Sequence, residues 1–199
     1  MSDFTALRAV SITLRDLLVQ EITHSANPHT QVSGTEILLE SPKEVRREKR
    51  KGISLWLYMI RREPDTLNRP LEHPTPSLVH RRPLPLTLHY LVTAMHDHPE
   101  DEQVLLGRVA QVFHDHAILT AGDLRDTLTG EDLELRVVLD APTLEELARV
   151  WDALNESYQL SIAYTVQVVS IDSDVDAAMR PPVLVSRQQP SQIVGGGQA

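Results

Sequence analysis

The sequence contains no cysteine, so disulfide bonds and thiolate chemistry are both excluded. Aromatic residues make up only 4% of the 199 residues, and no apolar run approaches the roughly 20 residues that a membrane-spanning helix needs. The first residues, MSDFTALRAV, lack the basic and apolar regions of a secretory signal. These absences predict a protein that is made and folded in the cytoplasm and has no membrane partner.

Signatures of catalysis and phosphate binding are missing as well. The chain has neither the G-x-S-x-G elbow of hydrolases nor the glycine-rich loops that bind nucleotides. Its nine histidines are densest at His96-Asp97-His98 and His114-Asp115-His116. Zinc-binding helices place histidines four residues apart, whereas His114 and His116 lie two apart near a helix end and would point to opposite sides. The first pair lies in the turn before a helix, where Asp and His are common. We therefore predict no enzyme activity, no cofactor and no metal site. A metal-dependent enzyme built on His96 or His98 is the remaining alternative.

Charge is distributed unevenly along the chain. Residues 1–99 carry 13 Lys/Arg and 11 Asp/Glu, whereas residues 100–199 carry 6 and 17. All three lysines fall within KEVRREKRK (Lys43–Lys51), which we call the basic segment. Such an asymmetry allows head-to-tail association of copies, although a merely solvated loop is an equal alternative. Because Glu44 and Glu48 interrupt the segment and the net charge is −9, we predict no nucleic-acid partner. Six cations are candidate contacts with other subunits: Lys43, Arg46, Arg47, Lys49, Arg50 and Lys51.

Hydrophobic periodicity predicts a mixture of helices and strands. An amphipathic helix is predicted over Asp3–Ile22, with Phe4 on its apolar face. Two later helices should begin at Pro99 and at the T-x-x-E capping box of Thr143 and Glu146. Strands are predicted at Thr35–Leu39, Ile53–Ile60, Leu86–Ala94, Leu133–Leu139 and Tyr158–Ile171.

Details within these elements give further expectations. Leu86–Ala94 alternates, which is typical of a strand buried on one face only. Tyr158–Ile171 is long enough to extend beyond its own sheet, and its apolar phase switches near Val168, where we predict a β-bulge. Gly107 lies within a helix, where a close backbone approach would explain it. The helix after Thr143 should direct four residues inward: Leu144, Leu147, Trp151 and Leu154.

Two further features are candidate contact sites. Trp56 and Tyr58 share one face of their strand; core packing is the default for both, but that face can also meet another subunit. After Asp172 the composition changes, so we predict a domain over residues 1–172 and a tail over residues 173–199. This tail should be flexible or ordered only by a partner. Within it, Val183, Leu184 and Val185 are suited to strand addition between chains.

Several of these segments occur in the order and spacing of a known family. They are LWLYMI (Leu55–Ile60) followed by Asn68-Arg69, PLPLTLHYLVTA, EQVLLGRVAQVFHD, and LARVWDAL followed by YQLSIAYTVQVVSID. Together they resemble the tail-terminator (cap) proteins of extracellular contractile injection systems of the virulence-cassette and antifeeding-prophage type. The basic segment and the link from Arg61 to Pro83 depart from that family, so nothing is carried over to them.

The resemblance implies an α+β fold in which a single mixed β-sheet has flanking helices. It also implies a structural role: a ring of six copies on the distal end of the inner tube that holds the last sheath layer. The expected partners are further copies of the chain, the inner tube protein and the sheath protein, in a particle that can be released from the cell. The alternative is a baseplate or adaptor component of the same machine.

Overall fold

One six-stranded sheet forms the centre of the protein. The computed structural model describes residues 3–23, 35–63, 83–131 and 133–172. The strand order is β1-β2-β3-β6-β5-β4. β1 and β2 are parallel and the other neighbouring pairs are antiparallel, which confirms the predicted α+β class with a single mixed sheet. The strands are β1 (Glu36–Leu38), β2 (Gly52–Arg62), β3 (Leu84–Met95), β4 (Ile118–Leu119), β5 (Leu135–Asp140) and β6 (Ser161–Ile171).

Helices flank this sheet within the described ranges: α1 (Ala6–Leu18), α2 (Pro42–Arg47), α3 (Pro99–Asp115) and α4 (Leu144–Leu154). α3 begins at Pro99 as predicted, with three acidic residues in its first turn that complement the helix dipole. The predicted capping box opens α4. The Thr143 hydroxyl accepts the Glu146 N–H at 3.3 Å, and the Glu146 carboxylate accepts the Thr143 N–H at 2.8 Å.

The main core lies between the sheet and the helices α1 and α3. Every second residue of β3 points into it, including the fully buried Tyr90, whose hydroxyl lies 2.8 Å from the Ser11 hydroxyl on α1. Phe113 of α3 meets Tyr164 of β6 edge-on, with ring centroids 4.8 Å apart. The buried Tyr90 hydroxyl therefore has a hydrogen-bond partner on α1, as buried polar groups require.

The opposite face of the sheet, which we call the second face, has a smaller core. Val45 of α2, Leu91 of β3 and Trp151 of α4 are buried there, outside the main cluster. β3 is consequently buried on both faces from Leu86 to Met95. The prediction of a strand buried on one face only was wrong, because the polar residues Thr87, His89 and Thr93 that alternate along β3 are buried as well.

The last strand contains the predicted bulge. Leu86 pairs with Val169 and Leu88 with Val166, so two residues of β6 oppose Thr87 of β3. β6 begins at Ser161, three residues later than predicted, and pairs with β3 from there to Ile171. The expectation that this strand extends beyond its own sheet was therefore wrong.

Three burial predictions also failed. Phe4 is 81% exposed, because α1 begins only at Ala6. Leu144 is 68% exposed, since Trp151 is the only fully buried residue of α4. A Cβ added to Gly107 would meet nothing within 4 Å among the described residues, so none of these explains the glycine by a close backbone approach.

Candidate assembly surfaces

The basic segment folds as a short helix and a turn. α2 begins with a capping box, in which the Ser41 hydroxyl accepts the Glu44 N–H at 3.4 Å and Glu44 accepts the Ser41 N–H at 3.1 Å. Hydrogen bonds from Ser41 hold the pKa of Glu44 below its usual value. Gly52 follows the segment directly and begins β2. Its φ of 144° and its close approach to the Glu36 backbone leave no space for a side chain. The alternative interpretation as a solvated loop does not describe this segment.

Most cations of the basic segment are bound within the chain itself. Lys43 donates to the Leu154 carbonyl at 2.8 Å, and Arg46 pairs with Glu156 at 3.3 Å, so both connect α2 to the end of α4. Arg50 pairs with Glu48 at 3.0 Å and also with Glu40, whereas Lys51 pairs with Asp97. Arg47 reaches Glu48 only at 3.9 Å and is 71% exposed, and Lys49 has no ion pair among the described residues. The structure therefore separates four internally paired cations from two that project outward.

Trp56 and Tyr58 lie together on the second face. Trp56 is opposite Leu91 of β3, and its ring centroid lies 6.1 Å from that of Tyr58. The β2–β3 register shifts between Leu57 and Met59, so Tyr58 is an extra residue in β2 that a bulge turns toward the second face. Both rings are half-buried. β2 is covered on both faces only near its start, where Gly52, Ile53, Ser54 and Leu55 are buried.

A groove of about 680 Å³ occupies the open part of the second face. β2, β3, β6 and β5 form its floor, and α4 with the loop before it forms one wall. His89 lies on the floor with its Nδ1 atom 3.5 Å from an Asp140 oxygen and its ring 6.2 Å from that of Tyr58. Burial lowers the pKa of His89, and the Asp140 carboxylate opposes that shift. Burial, with Asp140 second, raises the pKa of Tyr58.

The histidine groups of the sequence do not converge on a metal centre. No group of three or more potential metal ligands occurs among residues 3–23, 35–63, 83–131 and 133–172. His96 faces Asp101 at 3.1 Å, and His116 lies 3.1 Å from the Val112 carbonyl. In the same ranges no helix is long and apolar enough to cross a membrane. The candidate tail residues Val183, Leu184 and Val185 lie outside the described part of the chain.

Exposed apolar residues around β5 escaped the sequence-based reasoning. Val138 and Leu139 of β5 are 43% and 60% exposed. Ile118 of β4 is 55% exposed, and Leu144 at the start of α4 is exposed as well. The signal was present: consecutive valine and leucine residues at the end of a strand cannot both point into one core. Several large apolar side chains exposed in one part of a protein make that part a candidate for contacts with other chains.

These features define an α+β domain with candidate surfaces for binding other protein chains. The chain belongs to the Pvc16 N-terminal domain family, which it matches over residues 9–184. A search of curated proteins finds no match.

Two solved structures share the fold. One is described as the sheath/tube terminator, in the extended state, of the PVC extracellular contractile injection system; the identity is 17% and the TM-score 0.52. The other is the tube terminating cap of the anti-feeding prophage, with 16% identity and a TM-score of 0.58. The matches cover 92% and 91% of this chain but 65% and 60% of those chains. This chain thus corresponds to somewhat less than two thirds of each.

Proposed function

We propose that this protein is the structural cap of a contractile, phage-tail-like injection system. In this proposal it forms a homohexameric ring on the distal end of the inner tube, contacts the tube protein and holds the last sheath layer. The particle assembles in the cytoplasm, and the protein has no catalytic role.

The observation that carries the proposal is the shared fold. Over nine tenths of this chain superimposes on two proteins described as a sheath/tube terminator and a tube terminating cap, and the family match covers the same region. These descriptions belong to those proteins, and their identity to this chain is below 20%. Family membership and fold together nevertheless favour a terminator over other structural roles in such a machine.

The physical features are suited to that role. A terminator needs a rigid body and exposed faces that match the tube, the sheath and its own copies, and it needs no reacting group. Here two cores fix the helices on both faces of the sheet, and the exposed apolar residues around β5 remain available to partners. The aromatic groove beside Tyr58 gives a second candidate surface.

For the basic segment we propose a narrower role than the sequence suggested. Its outward contacts would come from Arg47 and Lys49, because the other four cations already have partners in the chain. Replacing both Arg47 and Lys49 by Glu should weaken incorporation into particles without changing the melting temperature. Replacing Arg46 by Gln is the matched control, which should lower the melting temperature slightly through its lost contact with Glu156. Unchanged incorporation of the Arg47/Lys49 variant would contradict this role.

The location of the protein on the particle tests the proposed function. Particles should be purified from cells that express the full set of injection-system proteins, with an epitope tag on the N-terminus of this chain and gold-labelled antibody. Label on the end opposite the baseplate supports the cap. Label at the baseplate would favour the adaptor alternative instead, and a tagged sheath protein, labelled along the particle, controls for antibody access.

A further inference from the structure

The sheet has a long open edge along β2. β1 pairs only with Gly52, Ile53 and Ser54 at the start of β2. From Leu55 to Arg62, the outer side of β2 has no strand partner among the described residues. Natural proteins protect such edges with proline, inward-pointing charges or very short strands. This stretch is eight residues long, has no proline, and carries charge only at Arg61 and Arg62.

The opposite end of the sheet is also incompletely covered. β4 pairs with Leu135 and Arg136, and the Val137 N–H donates to the Ala117 carbonyl at 2.9 Å. Beyond that point the outer side of β5 has no strand partner among the described residues. Leu139, which is 60% exposed, lies in this uncovered stretch. The described part of the chain thus leaves two stretches of strand edge unpaired, at opposite ends of one sheet.

The chain segments that contain the two edges have opposite net charge, although Arg46, Arg50 and Lys51 are already paired within the chain. On the unpaired stretches themselves, β2 holds Arg61 and Arg62, and β5 holds Asp140. The region from β1 to the end of β2, residues 36–63, holds eight Lys/Arg and five Asp/Glu, a net charge of +3. The region from β4 to the end of α4, residues 118–154, holds nine Asp/Glu and three Arg, a net charge of −6. Contact between two like edges would bring charges of the same sign together, whereas contact between unlike edges brings opposite charges together.

We propose that copies of this protein associate head-to-tail, with the β2 edge of one copy against the β5 edge of the next. The opposite net charges favour a second copy of the protein as the partner of each edge. A head-to-tail contact joins two different surfaces, and repeated contacts of this kind form a closed ring where the rotation between copies allows it. The sheet then continues from one copy to the next, and Leu139 is covered by the neighbouring β2. This inference rests on the proposed ring, but it names the surfaces that build it.

Introduced cysteines test this contact cleanly, because the sequence has no cysteine of its own. Four double variants combine Ile60→Cys or Arg62→Cys in β2 with Leu139→Cys or Ala141→Cys at the end of β5, which allows for the unknown register. Within one chain, β2 and β5 are three strand spacings apart, about 14 Å, too far for an internal disulfide. The single variants are the controls. Both assembled particles and the free full-length protein are oxidised and separated on denaturing, non-reducing gels.

We expect at least one double variant to give a ladder of linked chains in particles, and the single variants to give none. Dimers from Ile60→Cys or Arg62→Cys alone would mean that like edges meet and would overturn the inference. Protein that is present in particles but stays monomeric in all four double variants would also overturn it, while the cap function stands. Absence of the protein from particles would overturn the proposed cap function. In that case, a ladder of linked chains in the free protein would still support the contact between the β2 and β5 edges.

Discussion

Two glycines should respond in opposite directions to replacement by alanine. Gly107 lies in α3 and is exposed, and no other described part of the chain comes within 4 Å of the position that an added Cβ would occupy. Gly52 joins the basic segment to β2 with a φ of 144°, and its Cβ would overlap the Glu36 backbone. Gly107 therefore lowers the stability of α3 and makes no contact among the described residues that requires a glycine, whereas the pairing of β1 with β2 requires Gly52.

The expected magnitudes follow from these environments. Gly107→Ala removes the helix penalty of glycine and should raise the free energy of unfolding by about 1 kcal/mol. Gly52→Ala adds backbone strain of about 1–3 kcal/mol and displaces β1, so a loss of at least about 2 kcal/mol is expected. For a chain of this size, each kcal/mol shifts the melting temperature by about 2–4 °C.

Urea unfolding followed by tryptophan fluorescence measures both changes, with thermal unfolding by circular dichroism as a second readout. The two tryptophans report on different elements, because Trp56 is in β2 and Trp151 in α4. A destabilising Gly107→Ala would mean that another part of the chain packs on this side of α3. A neutral Gly52→Ala would mean that β1 does not pair with β2 as described.

Three further predictions concern the second face and the tail. Trp151→Ala should cost about 3–5 kcal/mol and reduce the near-ultraviolet circular dichroism, whereas Leu144→Ala on the same helix should be nearly neutral. Burial lowers the pKa of His89 in the folded state, so unfolding takes up a proton as the pH falls below the unfolded value near 6.5. The free energy of unfolding should thus decline from pH 7.5 to 5.5, by less than the roughly 1.4 kcal/mol per pH unit that the uptake of one proton allows. The midpoint of urea unfolding measures this decline, and His89→Gln should make it smaller. Deleting residues 173–199 should leave the melting temperature unchanged but weaken assembly into particles; loss of folding, or normal assembly, would contradict this.

Local signals in the sequence predicted the ends of several elements correctly. The capping box at Thr143 and the proline at position 99 mark the first turns of α4 and α3, because both act through nearby backbone groups. The phase switch in β6 predicted a bulge near Val168, since one extra residue moves all later side chains to the other face. Such features depend on neighbouring residues only and can be predicted from the sequence.

Burial was harder to predict, because it depends on what the rest of the chain places against each element. The alternation of threonines and His89 along β3 predicted a solvent-facing side of the strand, yet the strand is central in the sheet and these residues are buried. The cations of the basic segment looked free, yet four of them have partners that lie up to 111 residues away in sequence. The open edges of β2 and β5 likewise follow from strand order, which periodicity does not reveal.

The most direct test of the cap function is the length distribution of particles in cells with and without this gene, measured by negative-stain electron microscopy. If the protein is the cap, tubes should have uncontrolled length, or sheaths should not stay extended, when the gene is absent. Restoring the gene should restore normal particles. Particles of normal length, number and stability without the gene would contradict the cap function.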